Sequence, residues 1–119
     1  MAEHNELGKL GEELAVEFLE NNGYTILETN WTFQKAEVDI IAQLEDTLAI
    51  IEVKTRSSIE FGLPQDFVNS KKIKLLTKAV DNYVVEKNLD INVRFDIIAI
   101  HLEQKSFVIE HITDAFYHF

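Results

Sequence analysis

Seven residues, Leu48-Ala49-Ile50-Ile51-Glu52-Val53-Lys54, form a short apolar run that ends in two charged side chains. A run of this length, rich in Ile, Leu and Val, predicts a buried strand. Side chains two apart share a strand face, so Glu52 and Lys54 should lie on the face that carries Leu48 and Ile50. The sequence therefore places a carboxylate and an ammonium group at the end of an otherwise apolar strand surface.

Further elements are predicted on both sides of this strand. Apolar spacing indicates a helix and two strands before it, and a helix and two strands after it. The predicted ranges are helix Glu6–Asn22, strands Tyr24–Phe33, Glu37–Leu44 and Leu48–Lys54, helix Pro64–Lys87, and strands Val93–Leu102 and Phe107–Ile112. Asn22-Gly23 is predicted to stop the first helix, and the first three strands are predicted to form an antiparallel meander. The order αβββαββ predicts an α/β fold in which a mixed sheet is flanked by helices, because a helical crossover favours parallel pairing of the third and fourth strands.

Composition narrows the classes of protein that remain. The 119 residues contain no linker-like stretch, so residues 1–119 are predicted to form a single domain. The absence of Cys excludes disulfides and thiolate metal sites, which leaves oxygen or imidazole ligands. The acidic start of the chain does not resemble a signal peptide, and no apolar run is long enough to cross a membrane. We therefore expect a cytoplasmic protein that makes no membrane contact.

Charge is distributed unevenly along the chain. Residues 54–78 hold six basic and two acidic residues, a local charge of +4, although the whole chain carries −10. This polarisation would direct a negatively charged polymer such as DNA to one region of the surface. A solvated lysine face on a helix explains the same pattern, and charge alone does not decide between them.

A second carboxylate is predicted beside Glu52. On the preceding strand, alternation places Glu37, Asp39 and Ile41 on one face, with Val38, Ile40 and Ala42 on the other. Strand pairing can then bring Asp39 next to Glu52. Facing carboxylates repel one another unless a cation lies between them, and oxygen ligands suit Mg²⁺ or Mn²⁺. The simpler alternative is a Glu52–Lys54 pair at the end of a strand, with Asp39 in a turn.

The first helix offers a third carboxylate. Glu12 lies at the border of the apolar stripe, whereas Glu13 lies on the polar side, so Glu12 is the better candidate for a metal ligand. Gly8 and Gly11 weaken a helix, which makes sense if they let it approach the sheet closely. A glutamate at the rim of the helix, without any role in metal binding, is the alternative.

The second helix carries lysines on different sides. A helical wheel places Lys72 within the apolar stripe, where it either extends to the rim or reaches an anion such as the carboxylate cluster. Lys71 and Lys74 point away and, with Lys72 and Arg56, are candidates for contact with nucleic acid. The loop Phe61–Pro64 is predicted to border the opening of the site formed by the carboxylates.

The remaining polar residues are interpreted as architectural. Arg94 and Asp96 share a strand face and are predicted to pair with each other. The four histidines show no metal-ligand spacing. The apolar end Ala115–Phe119 is predicted to dock on the domain itself or on a second subunit of a homodimer.

Several motifs occur in an order that resembles a known family. They are Gly8-x-x-Gly11-Glu12-x-x-Ala15, Glu37-Val38-Asp39, Glu52-Val53-Lys54-Thr55-Arg56, Phe61-Gly62-x-Pro64, Lys72, Arg94-Phe95-Asp96 and Ala115-Phe116. Together they resemble the YraN family of predicted endonucleases, within the restriction-endonuclease-like PD-(D/E)XK superfamily that includes archaeal Holliday junction resolvases. The resemblance implies that Glu12, Asp39 and Glu52 are metal ligands and that Lys54 is the catalytic lysine. The sequence differs from the usual family pattern at two positions. Ala36 stands where the family commonly has Gly, and Thr32 stands where it commonly has a basic residue.

These observations lead to three hypotheses. The first is a Mg²⁺- or Mn²⁺-dependent endonuclease that hydrolyses DNA, with a preference for branched or flapped structures, in which Asp39, Glu52 and Lys54 are catalytic. The second is a DNA-binding accessory protein with a nuclease fold and little or no catalysis. The third is an interaction protein whose apolar end docks on a partner, and the presence of both carboxylates and the lysine weighs against the second and the third.

Overall fold

Two helices and five strands follow one another in the predicted order αβββαββ. The computed structural model describes residues 2–56, 70–103 and 105–115. The elements are α1 Ala2–Asn21, β1 Thr25–Phe33, β2 Ala36–Leu44, β3 Thr47–Arg56, α2 Ser70–Glu86, β4 Asn92–Glu103 and β5 Ser106–Ile112. The loop Phe61–Pro64, the predicted start of the second helix and residues 116–119 of the apolar end lie outside the described residues. No described helix has the length and apolar character needed to cross a membrane.

The five strands form one mixed sheet in the order β1-β2-β3-β4-β5. Strands β1 to β3 form the predicted antiparallel meander, and β5 is antiparallel to β4. The β3–β4 pairing is parallel and runs from Thr47↔Asn92 to Arg56↔His101. The α2 crossover between these two strands explains this pairing, because parallel neighbours need a long connection.

The two helices cover opposite faces of the sheet. Ala15 and Leu19 of α1 pack on a face formed by side chains such as Ile40 and Ile51. Leu76, Val80 and Tyr83 of α2 pack on the other face, against Val38, Ile41, Leu48 and Ile50. Strand β3 therefore alternates as predicted, and its first charged residue, Glu52, falls on the α2 side.

Helix α1 begins at Ala2, four residues before its predicted start. It ends at Asn21, and Gly23, with a φ of 92°, lets the Tyr24 N–H donate to the Leu19 carbonyl at 3.0 Å. This capping arrangement uses the left-handed conformation that glycine adopts without a steric penalty. The Asn22-Gly23 stop predicted from sequence is thereby confirmed.

The two glycines within α1 have different surroundings. A Cβ atom on Gly11 would overlap the Thr55 side chain of β3 and lie only 2.9 Å from its Cβ and Cγ2 atoms. A Cβ atom on Gly8 would meet nothing within 4 Å. The predicted close approach is therefore confirmed at Gly11 and wrong at Gly8, which lies beyond the contact with the sheet.

A buried ion pair joins β4 to its surroundings. Asp96 is fully buried and accepts two hydrogen bonds from the Arg94 guanidinium, at 2.9 and 2.8 Å, which confirms the predicted pair. His111 Nε2 lies 2.8 Å from the same carboxylate, and the Asp114 N–H donates at 3.1 Å. Burial by itself would raise the pKa of Asp96, but the hydrogen bonds from His111, Arg94 and Asp114 lower it below its ordinary value.

Candidate active site

The candidate site lies where strands β2 and β3 separate. Their ladder ends at the pair Ile40↔Ile51. One residue beyond, Asp39 turns its carboxylate towards β3, and Oδ2 accepts a hydrogen bond from the Val53 N–H at 2.8 Å. The carboxylate thus replaces the ladder partner that β2 no longer supplies to this N–H group.

Asp39 occupies a break in the alternation of β2. Val38 packs with Ile41 on the α2 face, while Ile40 packs on the α1 face. The prediction that Val38 shares a face with Ile40 is therefore wrong. Opposite the break, Asn30 of β1 has a φ of 50°, so the β1–β2 pairing is distorted at the same level. Asp39 consequently lies between the two faces and borders a cavity on each.

Glu52 contacts the side chains of two lysines. Its side chain is buried, and Oε1 accepts a hydrogen bond from Lys72 Nζ of α2. Lys54 Nζ lies 3.4 Å from the same oxygen. The sequence left open whether Lys72 extends to the rim or reaches an anion, and the contact with Glu52 decides for the anion.

Asp39 and Glu52 line one cleft on the α2 side of the sheet. Its volume is about 290 Å³. We call this space the cleft. It is lined by Lys35, Ala36, Glu37, Asp39, Glu52, Lys72, Leu75 and Leu76. Three of these side chains are acidic and two are basic, so a phosphate group entering the cleft would meet more negative than positive charge.

The pKa of Asp39 is raised to about 7, first by burial and then by the neighbouring Glu52 carboxylate. The hydrogen bond from Val53 lowers the pKa and Glu12 raises it further. A carboxylate that is buried beside a second carboxylate favours either a proton or a metal cation. The predicted proximity of Asp39 and Glu52 is therefore present, with its expected electrostatic effect.

Glu12 approaches Asp39 from the opposite side of the sheet. It lines the α1-side cavity, of about 320 Å³, together with Glu13, Lys9 and Asp39. Glu12 is half-buried and Glu13 is exposed, as the helical wheel predicts. Among the described residues, no group of three or more His, Asp and Glu side chains is arranged to hold a metal ion. The role of Glu12 as a third ligand stays a prediction.

The side chains around the cleft fit a hard divalent cation. Asp39 and Glu52 provide carboxylate oxygens, the ligand type preferred by Mg²⁺ and Mn²⁺. A dication at Asp39 would relieve the electrostatic penalty that raises its pKa. Lys72 would compete with such a cation for Glu52, because its ammonium group already neutralises this carboxylate.

Of the four predicted nucleic-acid-binding residues, Lys72 lines the cleft, and the other three lie on α2 and at the end of β3. Lys71 and Lys74 of α2 are exposed, next to the half-buried Lys72. Arg56 ends β3 opposite His101 of β4. Sequence reasoning did not select Lys35, which lies in the two-residue turn between β1 and β2 and lines the cleft. The signal available was its place in the turn immediately before the strand that carries Asp39.

Comparison with known proteins places the chain in a family. The sequence model of the "Uncharacterised protein family UPF0102" matches residues 11–100. A UPF0102 protein of Flavobacterium psychrophilum is 68% identical over 119 residues, which is 100% of both chains. The chain belongs to the UPF0102 family. Another UPF0102 protein, from Phocaeicola vulgatus, is 48% identical over 117 residues, covering 98% of this chain and 97% of the relative. The residues matched by the family model include Asp39, Glu52 and the two lysines that contact Glu52.

Proposed function

We propose that this UPF0102 protein is a metal-dependent endonuclease of the PD-(D/E)XK type that hydrolyses phosphodiester bonds in cytoplasmic DNA. The observation that carries the proposal is the geometry of the cleft. Two carboxylates from separating strands line the same space, and one of them contacts two lysines. A site of this kind suits metal-assisted hydrolysis, in which charge develops on a phosphate group.

Asp39 and Glu52 are the residues that would hold Mg²⁺ or Mn²⁺. The cation, when bound, polarises the phosphodiester and lowers the pKa of water. Asp39 is suited to this task because the hydrogen bond from Val53 fixes its carboxylate at the point where the strands separate. Glu52 is fixed in turn by its buried position and by Lys72.

Lys54 is the proposed catalytic lysine. Its Nζ atom lies 3.4 Å from Glu52 Oε1, and its side chain is only 27% exposed. An ammonium group at this position can orient the attacking water or offset the negative charge that develops on the phosphate. Lys72 offsets charge from the α2 side, and it must share Glu52 with the cation.

The DNA backbone is proposed to lie along the exposed lysines of α2. Lys71 and Lys74 flank Lys72 in sequence and are exposed, while Lys72 reaches inward to Glu52. Contacts to phosphates are independent of sequence, and a domain of this size offers little surface for reading bases. We therefore favour recognition of DNA structure, such as branches or flaps, over recognition of a sequence.

A second candidate is a DNA-binding accessory protein that retains the cleft without catalysis. It is favoured by the Lys72–Glu52 ion pair, which neutralises one proposed ligand without a metal. In this alternative the exposed lysines bind DNA and the cleft has a structural role.

The two candidates are distinguished by a cleavage assay. Wild-type protein, Asp39→Asn and Glu52→Gln are incubated with linear, flapped and four-way branched DNA in Mg²⁺ or Mn²⁺. The endonuclease proposal expects cleavage by the wild type and a loss of more than about 100-fold in both variants, since even outer-shell partners of metal sites contribute about 10- to 100-fold. Cleavage that survives both substitutions refutes the mechanism. Salt-sensitive binding without cleavage supports the accessory protein instead.

A further inference from the structure

A pair of stacked aromatic rings lies on the edge strand β1. The Trp31 and Phe33 rings are nearly parallel, with 10° between their planes and 6.2 Å between their centroids. Both side chains are partly exposed. Strand β1 is at the edge of the sheet, so no further strand covers its outer side in the described part of the chain.

Helix α2 holds this pair in place. The Tyr83 ring meets Trp31 edge to face, with 5.2 Å between centroids and 81° between planes. The Tyr83 hydroxyl donates a hydrogen bond to the Glu28 carboxylate at 3.3 Å. Trp31 is therefore anchored on its inner side by a buried tyrosine, which gives the ring a fixed orientation without loss of its exposed part.

The aromatic pair adjoins the cleft. Phe33 is paired with Ala36, and Trp31 with Val38. Directly paired residues of antiparallel strands point to the same face, so both rings lie on the face of Val38, which is the α2 face. Ala36 itself lines the cleft. The rings therefore continue the wall of the cleft towards the open edge of the sheet.

The turn between the rings and the carboxylates carries a positive charge. Lys35 is exposed, follows Phe33 by two residues and lines the cleft. A ring surface, a lysine and a proposed site for a phosphodiester thus occur in sequence along one wall. Aromatic rings next to a cation are the features with which proteins hold unpaired nucleotides, because every base has a face that can stack. A paired base cannot reach such a surface without leaving its helix.

We propose that Trp31 and Phe33 stack an unpaired nucleobase of the nucleic acid whose backbone enters the cleft. The inference rests on the proposed function for the place of the backbone, and it specifies the substrate as DNA with single-stranded nucleotides beside the cleft. Flaps and branch points supply such nucleotides, whereas fully paired linear DNA does not. Lys35 is assigned to the phosphate of the stacked nucleotide.

Trp31 is the only tryptophan of the chain, so its fluorescence reports directly on this surface. The experiment uses the full-length Asp39→Asn chain, which prevents cleavage, and titrates it with single-stranded oligothymidylate of about 12 nucleotides or with a duplex of equal length. We expect the single strand to quench Trp31 and to bind more tightly than the duplex. Phe33→Leu should weaken binding of the single strand by about 5- to 150-fold, the range for one stacked base.

Two control variants isolate the effect of the ring. Phe33→Tyr keeps an aromatic ring and should bind like the parent. Phe107→Leu removes a phenylalanine that packs on the α1-side cluster, and it should also leave binding unchanged. Should Phe33→Leu fail to fold, the parent chain is titrated with an oligonucleotide of abasic sites, which should bind more weakly and leave Trp31 unquenched.

The proposal is overturned if Phe33→Leu binds as tightly as its parent, if abasic and normal strands bind equally, or if bound oligothymidylate does not quench Trp31. Cleavage is scored separately with the wild-type chain. Binding that depends on Phe33 in a chain without nuclease activity would refute the proposed function and keep the stacking surface. Cleavage by the wild type, together with binding that does not depend on Phe33, would keep the proposed function and refute the stacking surface.

Discussion

Replacing Asp39 with asparagine is expected to stabilise the fold, because it removes a carboxylate whose ionisation is opposed by burial and by Glu52. The asparagine oxygen can still accept the hydrogen bond from the Val53 N–H, so the charge is removed and the contact is kept. With a pKa of about 7 against an ordinary 3.8, ionisation at high pH costs the fold up to about 4 kcal/mol. Relaxation of the site reduces this cost, and we expect a gain of about 2 kcal/mol near pH 8.

The gain should depend on pH in a defined direction. Between about pH 4 and pH 7 the folded chain holds a proton on Asp39 that the unfolded chain has released, so wild-type stability falls relative to the variant as pH rises through this window. Urea unfolding of both proteins measures the difference in the free energy of unfolding. It should be at least about twice as large near pH 8 as near pH 4.5. Excess Mg²⁺ near pH 8 should narrow it by stabilising the wild type.

Two results would refute this reasoning. One is a variant that is no more stable than the wild type near pH 8. The other is an advantage that is the same at both pH values, because a pH-independent gain would come from packing and not from the ionisation of Asp39.

Other residues give predictions of different kinds. Gly11→Ala should lower the free energy of unfolding by about 1–3 kcal/mol through overpacking against β3, while Gly8→Ala should raise it by about 0.5–1 kcal/mol. Equal effects of the two substitutions in thermal unfolding would contradict the difference between the surroundings of the two glycines. Asp96→Asn should lower the free energy of unfolding by about 3–5 kcal/mol by breaking a buried ion pair, and a loss below about 1 kcal/mol in urea unfolding would show that the pair contributes little. Lys74→Gln should reduce the salt dependence of DNA binding by about one phosphate contact, whereas Lys87→Gln, just beyond the far end of α2, should leave the slope unchanged. Identical slopes in the two variants would remove α2 from the interface.

Much of the fold could be predicted because its signals are local. The alternation from Leu48 to Lys54 fixes which side chains of β3 face each helix, and the structure keeps that alternation. Asn22-Gly23 marks the end of α1 by a backbone preference of single residues. The position of Lys72 in an apolar stripe likewise indicated two possible places for its ammonium group, and the structure shows the one in which it contacts a carboxylate, Glu52.

The rest depends on contacts between distant residues. Alternation alone assigned Val38 to the face of Ile40, because nothing in the local sequence marks the break at Asp39. That break accompanies the distortion at Asn30 on the neighbouring strand. Gly8 and Gly11 look alike in sequence, and only the path of β3 beneath the helix distinguishes them. The sequence also does not show that Glu12 lines a different cavity from Glu52. The two cavities lie on opposite faces of the sheet, and Asp39 borders both because it lies between the faces.

Binding of Mn²⁺, followed by the loss of the electron paramagnetic resonance signal of the free ion, tests most directly whether Asp39 and Glu52 form one cation site. The measurement compares the wild type with Asp39→Asn and Glu52→Gln at the same protein concentration near pH 8. We expect the wild type to bind Mn²⁺ and each variant to bind it at least about 10-fold more weakly. Equal affinity in all three proteins would contradict the account.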